Sequence, residues 1–142
     1  LLENKSSGCA WNGGTTVPIV EPASGQTYNV TYDTPVEIGI LIEVTCSGVT
    51  EAQVEQAILD YQAGTVTDPA GNPSNLIGFQ VGQDVSPVEL AAAIAIENPG
   101  AYVSNVQIAV DVMSPSFSTT PIGIGLNQQA YTQLSFITVN IV

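Results

Sequence analysis

Residues 35–64 read PVEIGILIEVTCSGVTEAQVEQAILDYQAG, and the change of period inside this stretch decides the fold. Val36, Ile38, Ile40, Ile42, Val44 and Cys46 recur at every second position, with Glu37, Gly39, Glu43 and Thr45 between them and Leu41 as the exception. Side chains alternate across a strand, so this run predicts a strand with one face in the core and the other toward solvent. From Thr50 the spacing becomes three and four, and Val54, Ala57, Ile58 and Tyr61 form the apolar stripe of a helix. Thr50 stands as N-cap with Gln53 three residues on, the pattern of a capping box. Val49 is placed to staple onto Val54, and Gly64 supplies the C-terminal stop.

The same grammar recurs at residues 85–110, VSPVELAAAIAIENPGAYVSNVQIAV. Ser86 reads as N-cap, Pro87 takes the first helical position where its missing N–H costs nothing, and Glu89 completes a second capping box. Val85 is placed to staple onto Leu90, and Leu90, Ala93 and Ile94 face the core. Asn98-Pro99-Gly100 ends this helix, because proline disfavours helical geometry in the residue before it. Tyr102, Ser104, Val106, Ile108, Val110 and Val112 then share the phase of one strand face.

Working outward, residues 1–16 collect Gly, Ser, Asn and Thr and read as a linker or arm, with no signal peptide expected in the opening LLENKSSGCAWNGG. TTVPIVEP and TYNVTYD, separated by ASGQ, carry a β-hairpin signal, with Pro18 and Pro22 confining the first run to an edge. Between Thr65 and Asp84 periodicity is lost, and TDPAGNPSNLIG predicts a long surface loop, either functional or a tolerated insertion. IGIGL at 122–126 suggests a short edge strand, and LSFITVNIV at 134–142 a final strand covered on both sides. Two consecutive helices reverse the chain, so the strands flanking them should be antiparallel. The fold class is α+β: a two-layer sandwich with a mixed or antiparallel sheet, two helices packed on one face, and a β-hairpin and arm in front. The expected division is 1–34 for the arm and hairpin and 35–142 for the α+β domain.

Composition removes several functions. Thirteen acidic residues face a single basic one, Lys5, for a net charge of −12, and the chain has no His. Phosphate neutralisation needs Lys and Arg, so no nucleic-acid partner is expected. Acidity of this kind serves solubility or pairing with a basic neighbour. The apolar runs are too short and interrupted to span a bilayer, so no membrane is expected. No catalytic residues are assigned: the commonest general base is absent, and no Ser or Cys has a visible triad partner. Glu37 and Glu43 share a strand face at about 20 Å, beyond the separation of a glycosidase pair. Glu51, Glu55 and Glu89 suit the positive ends of helix dipoles.

Asp68 and Asn72 offer oxygen donors, but their spacing fits an Asx-rich turn better than a calcium loop, so no metal and no cofactor is assigned. Cys9 and Cys46 leave open a disulfide, with a buried free thiol at Cys46 the better reading of its phase. Asn29-Val30-Thr31 has the form of a glycosylation acceptor, a triplet that arises often by chance. Trp11, Phe79 and Phe117 are the candidate interface residues, with a capping contact under the arm equally compatible with Trp11.

The order of these parts resembles the C-terminal part of the baseplate J family of contractile-tailed phages, over residues 17–142. The resemblance is carried by VEPASGQTYNVTYDTPVEIGILIEVT, the helix TEAQVEQAILDYQAG, then VGQDVSPVELAAAIAIENPGAYVSNVQI with Gly82 to Val85 leading the second helix, and the closing YTQLSFITVNIV. It implies a wedge component of a tail baseplate, without catalytic residues, whose partners are other baseplate subunits or further copies of itself. Its place would be the virion, after assembly in the host cytoplasm. The 65–81 loop is longer than the family pattern, and so few Lys and Arg are unusual for it. A tail-tip or cell-surface adhesin domain that binds a glycan through residues 65–84 and 113–131 is the alternative, and a small hydrolase ranks last. A large exposed apolar patch would mark the first, and a small aromatic platform the second.

Overall fold

The computed structural model describes residues 15–20, 22–23, 25, 27–32 and 34–142. The chain divides into two compact units, Leu1–Pro35 and Val36–Val142. In the first, strand β1 (Thr15–Val20) pairs antiparallel with β2 (Thr27–Tyr32), in unbroken register from Thr15 opposite Tyr32 to Val20 opposite Thr27. This is the expected hairpin, with Pro18 opposite Asn29.

The second unit is a two-layer α+β sandwich built on β3 (Val36–Ser47). Its alternation is realised from Ile40 onward: Ile40, Ile42, Val44 and Cys46 are buried, and the residues between them are half-exposed, whereas at the strand's start Val36, read onto the core face, is exposed and Ile38 is half-buried. Helix α1 (Glu51–Ala63) follows, and its buried residues are Val54, Ala57, Ile58 and Tyr61. The Thr50 capping box forms, with the Gln53 N–H donating to Oγ1 of Thr50 and the Thr50 N–H donating to Oε1 of Gln53. Gly64 closes the helix at φ 72°, a left-handed conformation that costs glycine little and lets its N–H reach the last carbonyls. Helix α2 (Pro87–Glu97) buries Pro87, Leu90, Ala93 and Ile94, and Asn98 caps it. Its second capping box does not form: Ser86 makes no side-chain cap bond. The Glu89 carboxylate is used elsewhere, accepting from the Tyr61 hydroxyl.

Strand β4 (Tyr102–Val110) runs antiparallel to β3, as two intervening helices require. The expected face is broken by a bulge. Thr45 lies opposite Asn105 but Cys46 opposite Val103, so Ser104 is the extra residue, and its Oγ donates to the Thr45 carbonyl at 3.0 Å. One inserted residue inverts the phase, which leaves Tyr102 69% exposed while Val106 and Ile108 are buried. Val112 lies beyond the strand and is exposed.

The other edge of β3 carries two short parallel strands end to end: β5 (Gln128–Tyr131) against Val36–Gly39 and β6 (Ile137–Ile141) against Ile42–Cys46. Between them Thr132, buried, donates its hydroxyl to the Ile40 carbonyl and its N–H to the Gln62 side chain. Leu134–Phe136 is a 3-10 turn rather than strand. The last strand is therefore shorter than expected and covered on one side only, with Ile137 buried, Val139 packed on the core, and Thr138, Asn140 and Ile141 exposed. IGIGL is not a strand: Ile122 makes an isolated bridge to Val85, and the Ile124 N–H donates to the Asp84 carboxylate. The 65–84 segment is less a surface loop than expected. Val66 and Phe79 are buried in the core, and the Gln129 side chain and the Gln62 carbonyl hold Phe79's backbone.

Candidate functional site

Of the three candidate interface residues the structure describes Phe79 and Phe117. Trp11 lies outside the described residues, as does Cys9. Phe79 is 4% exposed and meets the Tyr61 ring edge-on at 5.5 Å, so it is a core side chain and presents no contact surface. A single apolar residue in an aperiodic loop gives no sequence signal for which way it points. Phe117 is exposed, at 38%, in the connection after β4. The structure does not bring Phe79 and Phe117 together on one surface. Cys46 is buried, and burial pushes its thiol up.

Among the described residues, no three His, Cys, Asp or Glu side chains converge as metal ligands would. Asp68 and Asn72 close on one another instead. The Asn72 backbone N–H and side-chain amide both donate to the Asp68 carboxylate at 2.9 Å, and these bonds hold that carboxyl below its ordinary range. Glu43 accepts from the Asn140 amide across the sheet. No helix among the described residues is long and apolar enough to cross a membrane.

Two ionisable contacts join the helices, and periodicity does not reveal either. Tyr61 has no exposed surface, and its hydroxyl would be costly to bury without a partner. Glu89 supplies that partner from α2, and burial, then the carboxylate, hold the phenol above its ordinary value. Near the helix C-termini, burial pushes Glu97 up to about 7, reinforced by a hydrogen bond to Asp60 and its charge, and opposed by the Thr67 backbone. Neither helix has a basic residue in its last turn to offset these carboxylates.

On the sheet face away from the helices, Tyr131 and Phe136 pair at 5.9 Å with their planes 43° apart. They sit over Gly39, where a Cβ would lie 3.0 Å from Asp111 Cβ and 3.1 Å from Phe136, so the aromatic pair rests on the absence of a side chain. At the opposite side of the unit, β4 ends the sheet. A groove of about 210 Å³ runs there between α2 (Pro87, Val88, Ala91) and residues 103–106 of β4, closed by Thr119. Val88, at its lip, is 75% exposed. Further apolar side chains stand in solvent at the sheet's other edge and end, among them Leu134, Ile141 and Val142.

Compared with known proteins, the sequence matches no family model and no curated protein sequence.

Proposed function

We propose that this chain is a structural domain of a phage tail baseplate, a wedge component that works by holding neighbouring subunits and performs no chemistry. The observation that carries the reading is the surface of the second unit. Large apolar side chains stand in solvent beside strand edges on which, among the described residues, no further strand of the sheet pairs, with Val88 and Tyr102 by β4 and Leu134, Ile141 and Val142 by β6. Exposed apolar groups next to unpaired strands are what a subunit interface uses. The baseplate setting, with a place in the virion and partners among other baseplate subunits, is what the resemblance in the order of parts implies.

The test is the mass of the purified chain by light scattering across concentration and salt, alone and with the adjoining subunits of a contractile tail. Concentration-dependent dimers, or a complex with a tail subunit, are expected. A strict monomer that joins no tail subunit overturns the reading.

A second reading has one specific observation in its favour. The Tyr131–Phe136 pair beside Asp111 has the form of a small aromatic platform with a carboxylate at its rim, which suits a sugar ring. As an adhesin the chain would bind a glycan there, and Tyr131→Ala would abolish capture on a glycan array.

A further inference from the structure

The sheet face away from the helices carries the odd-numbered residues of β3, and Gly39 is the one among them without a side chain. Its neighbours on both sides meet over it. Tyr131 stands opposite Gly39 on β5, and Asp111, whose N–H donates to the Gly39 carbonyl at 2.8 Å, stands opposite it just past the end of β4. The Tyr131 hydroxyl, the Phe136 ring and Asp111 Cβ all lie within 3.3 Å of the point that a Cβ on Gly39 would occupy. A tyrosine standing straight out from the sheet would hold its hydroxyl well above the backbone. Here the hydroxyl reaches the middle strand at the height of a first side-chain atom, so the ring lies across the sheet with one face down and the other up. Phe136 lies beside it, tilted by 43° at 5.9 Å, and both rings are half-buried, which leaves part of each in solvent.

The charge around these rings has one sign. Asp111 is exposed beside the pair, and Glu37, two residues before Gly39 on the same face, is exposed as well. Residues 36–142 contain no Lys, Arg or His, so the unit has no cationic side chain to give either carboxylate. Aromatic faces carry the negative side of the ring quadrupole, so rings and carboxylates favour the same ligand, a cation. A neutral sugar would gain from the rings and from hydrogen bonds but nothing from the charge, and a second copy of this unit would bring no cation. Among cations the guanidinium group fits best: it is planar, stacks on rings, bonds a carboxylate through a fork of N–H groups and is weakly hydrated. Leu41, the one apolar side chain among the outward residues of β3, is half-buried two residues beyond Gly39 and offers a surface for the methylene stem.

We propose that the outer sheet face over Gly39 is a seat for an arginine side chain of a partner protein, its guanidinium stacked on Tyr131 and Phe136 and paired with the Asp111 carboxylate. An aromatic and arginine contact of this kind is the usual anchor of a protein interface. The proposal deepens the assembly reading and rests on it for the identity of the partner as a neighbouring subunit.

The experiment titrates the isotope-labelled full chain with four probes: a capped Gly-Ser-Arg-Ser-Gly peptide, its citrulline and lysine counterparts, and an N-acetylglucosamine trisaccharide. The arginine peptide should shift the resonances of Gly39, Leu41, Asp111, Tyr131 and Phe136 and few others. Its affinity should fall at least about fivefold with citrulline, which keeps the planar shape and loses the charge, and at least about threefold with lysine, which keeps the charge and loses the plane. Asp111→Asn, at an exposed position, should weaken binding about fivefold without moving the unfolding midpoint, and Tyr131→Ala should weaken it at least as much. The peptide exchanges need no change to the protein, so they decide the matter even where a variant folds poorly. Binding that ignores the exchange for citrulline or lysine, or shifts spread over the other carboxylates with no preference for the two rings, overturns the proposal in favour of plain charge attraction. A trisaccharide that shifts these resonances where the arginine peptide does not overturns it in favour of a glycan. Light scattering separates this claim from the baseplate reading. A chain that assembles with tail subunits but fails the arginine test uses another face, whereas a chain that passes the arginine test but joins no tail subunit overturns the baseplate reading alone.

Discussion

Helices α1 and α2 begin with the same local signature and end up held by different means. Thr50 and Gln53 close a capping box around the N-terminus of α1, so that helix start is satisfied within four residues of chain. Ser86 and Glu89 stand in the same relation at α2, yet Ser86 bonds nothing with its side chain and Glu89 bonds Tyr61, 28 residues away. The difference lies in what each carboxylate or amide can reach. A cap is worth about 1 kcal/mol, and a buried hydroxyl left without a partner costs about as much or more, so Glu89 serves the more expensive group. Pro87 at the start of α2 lessens the need for a cap by removing one of the donors that would be left unpaired. A local motif therefore predicts where a helix starts more reliably than which bonds start it.

The comparison can be broken first at the packed faces, where the helices should behave alike. Ile58 and Ile94 have no exposed surface, and Ile58→Ala and Ile94→Ala should each cost about 2–5 kcal/mol in urea unfolding with unchanged slope. A cost under about 1 kcal/mol for either would show that its helix is not part of the core.

A sharper cut follows from the shared contact. Tyr61→Phe removes the hydroxyl and releases Glu89, and should destabilise by about 1–2 kcal/mol. Glu89→Ala should cost a similar amount, and the double variant little more than either single one, because both remove one interaction. Full additivity would mean that the two groups do not act together.

The caps themselves should separate the helices. Thr50→Ala is expected to cost about 1 kcal/mol, while Ser86→Ala should stay within about 0.5 kcal/mol of wild type. Equal losses would place a working cap at Ser86 and remove the contrast.

The smallest effect is the pH dependence of the carboxyl pair. Glu97 titrates in the folded chain at about 7, above the ordinary 4.5, so the folded state holds its proton more tightly than the unfolded one. Stability from this group is complete at low pH and is lost as pH rises through about 7. Glu97→Gln keeps a hydrogen-bonding group beside Asp60 without the charge. Its unfolding midpoint should match wild type at pH ~5 and exceed it at pH ~8. A constant difference across that range would dissociate Glu97 from Asp60.

Some parts of this fold were legible because their information is local. Thr50, Gln53 and Gly64 act within a few residues, and the alternation from Val36 to Cys46 needs only the period of a strand. The bulge at Ser104 was not legible, since β4 reads as a continuous alternation until β3 is laid beside it and the register slips. Nor was β5, whose sequence QQAY carries almost no apolar signal and which becomes a strand by pairing with Val36–Gly39. Leu134 to Phe136 look like strand by composition, but the chain turns there to step from beside Gly39 to beside Ile42. The candidate site divided the same way. The acidic surface is plain from composition, whereas the burial of Phe79, the Tyr131–Phe136 pair and the groove between α2 and β4 depend on elements far apart in the chain.

By itself the sequence determined the α+β class, the two helices with their apolar stripes, the central strand, the antiparallel relation of β3 to β4 and the one-signed charge of residues 36–142. All of these follow from periodicity, caps and counts, which are properties of neighbouring residues. Tertiary structure alone decided the split parallel edge, the bulge, the partner of Glu89 and the burial of Phe79. Each of these is a choice among partners separated by tens of residues, and it is settled by which buried polar groups must be satisfied and which backbone edges the remaining chain can reach.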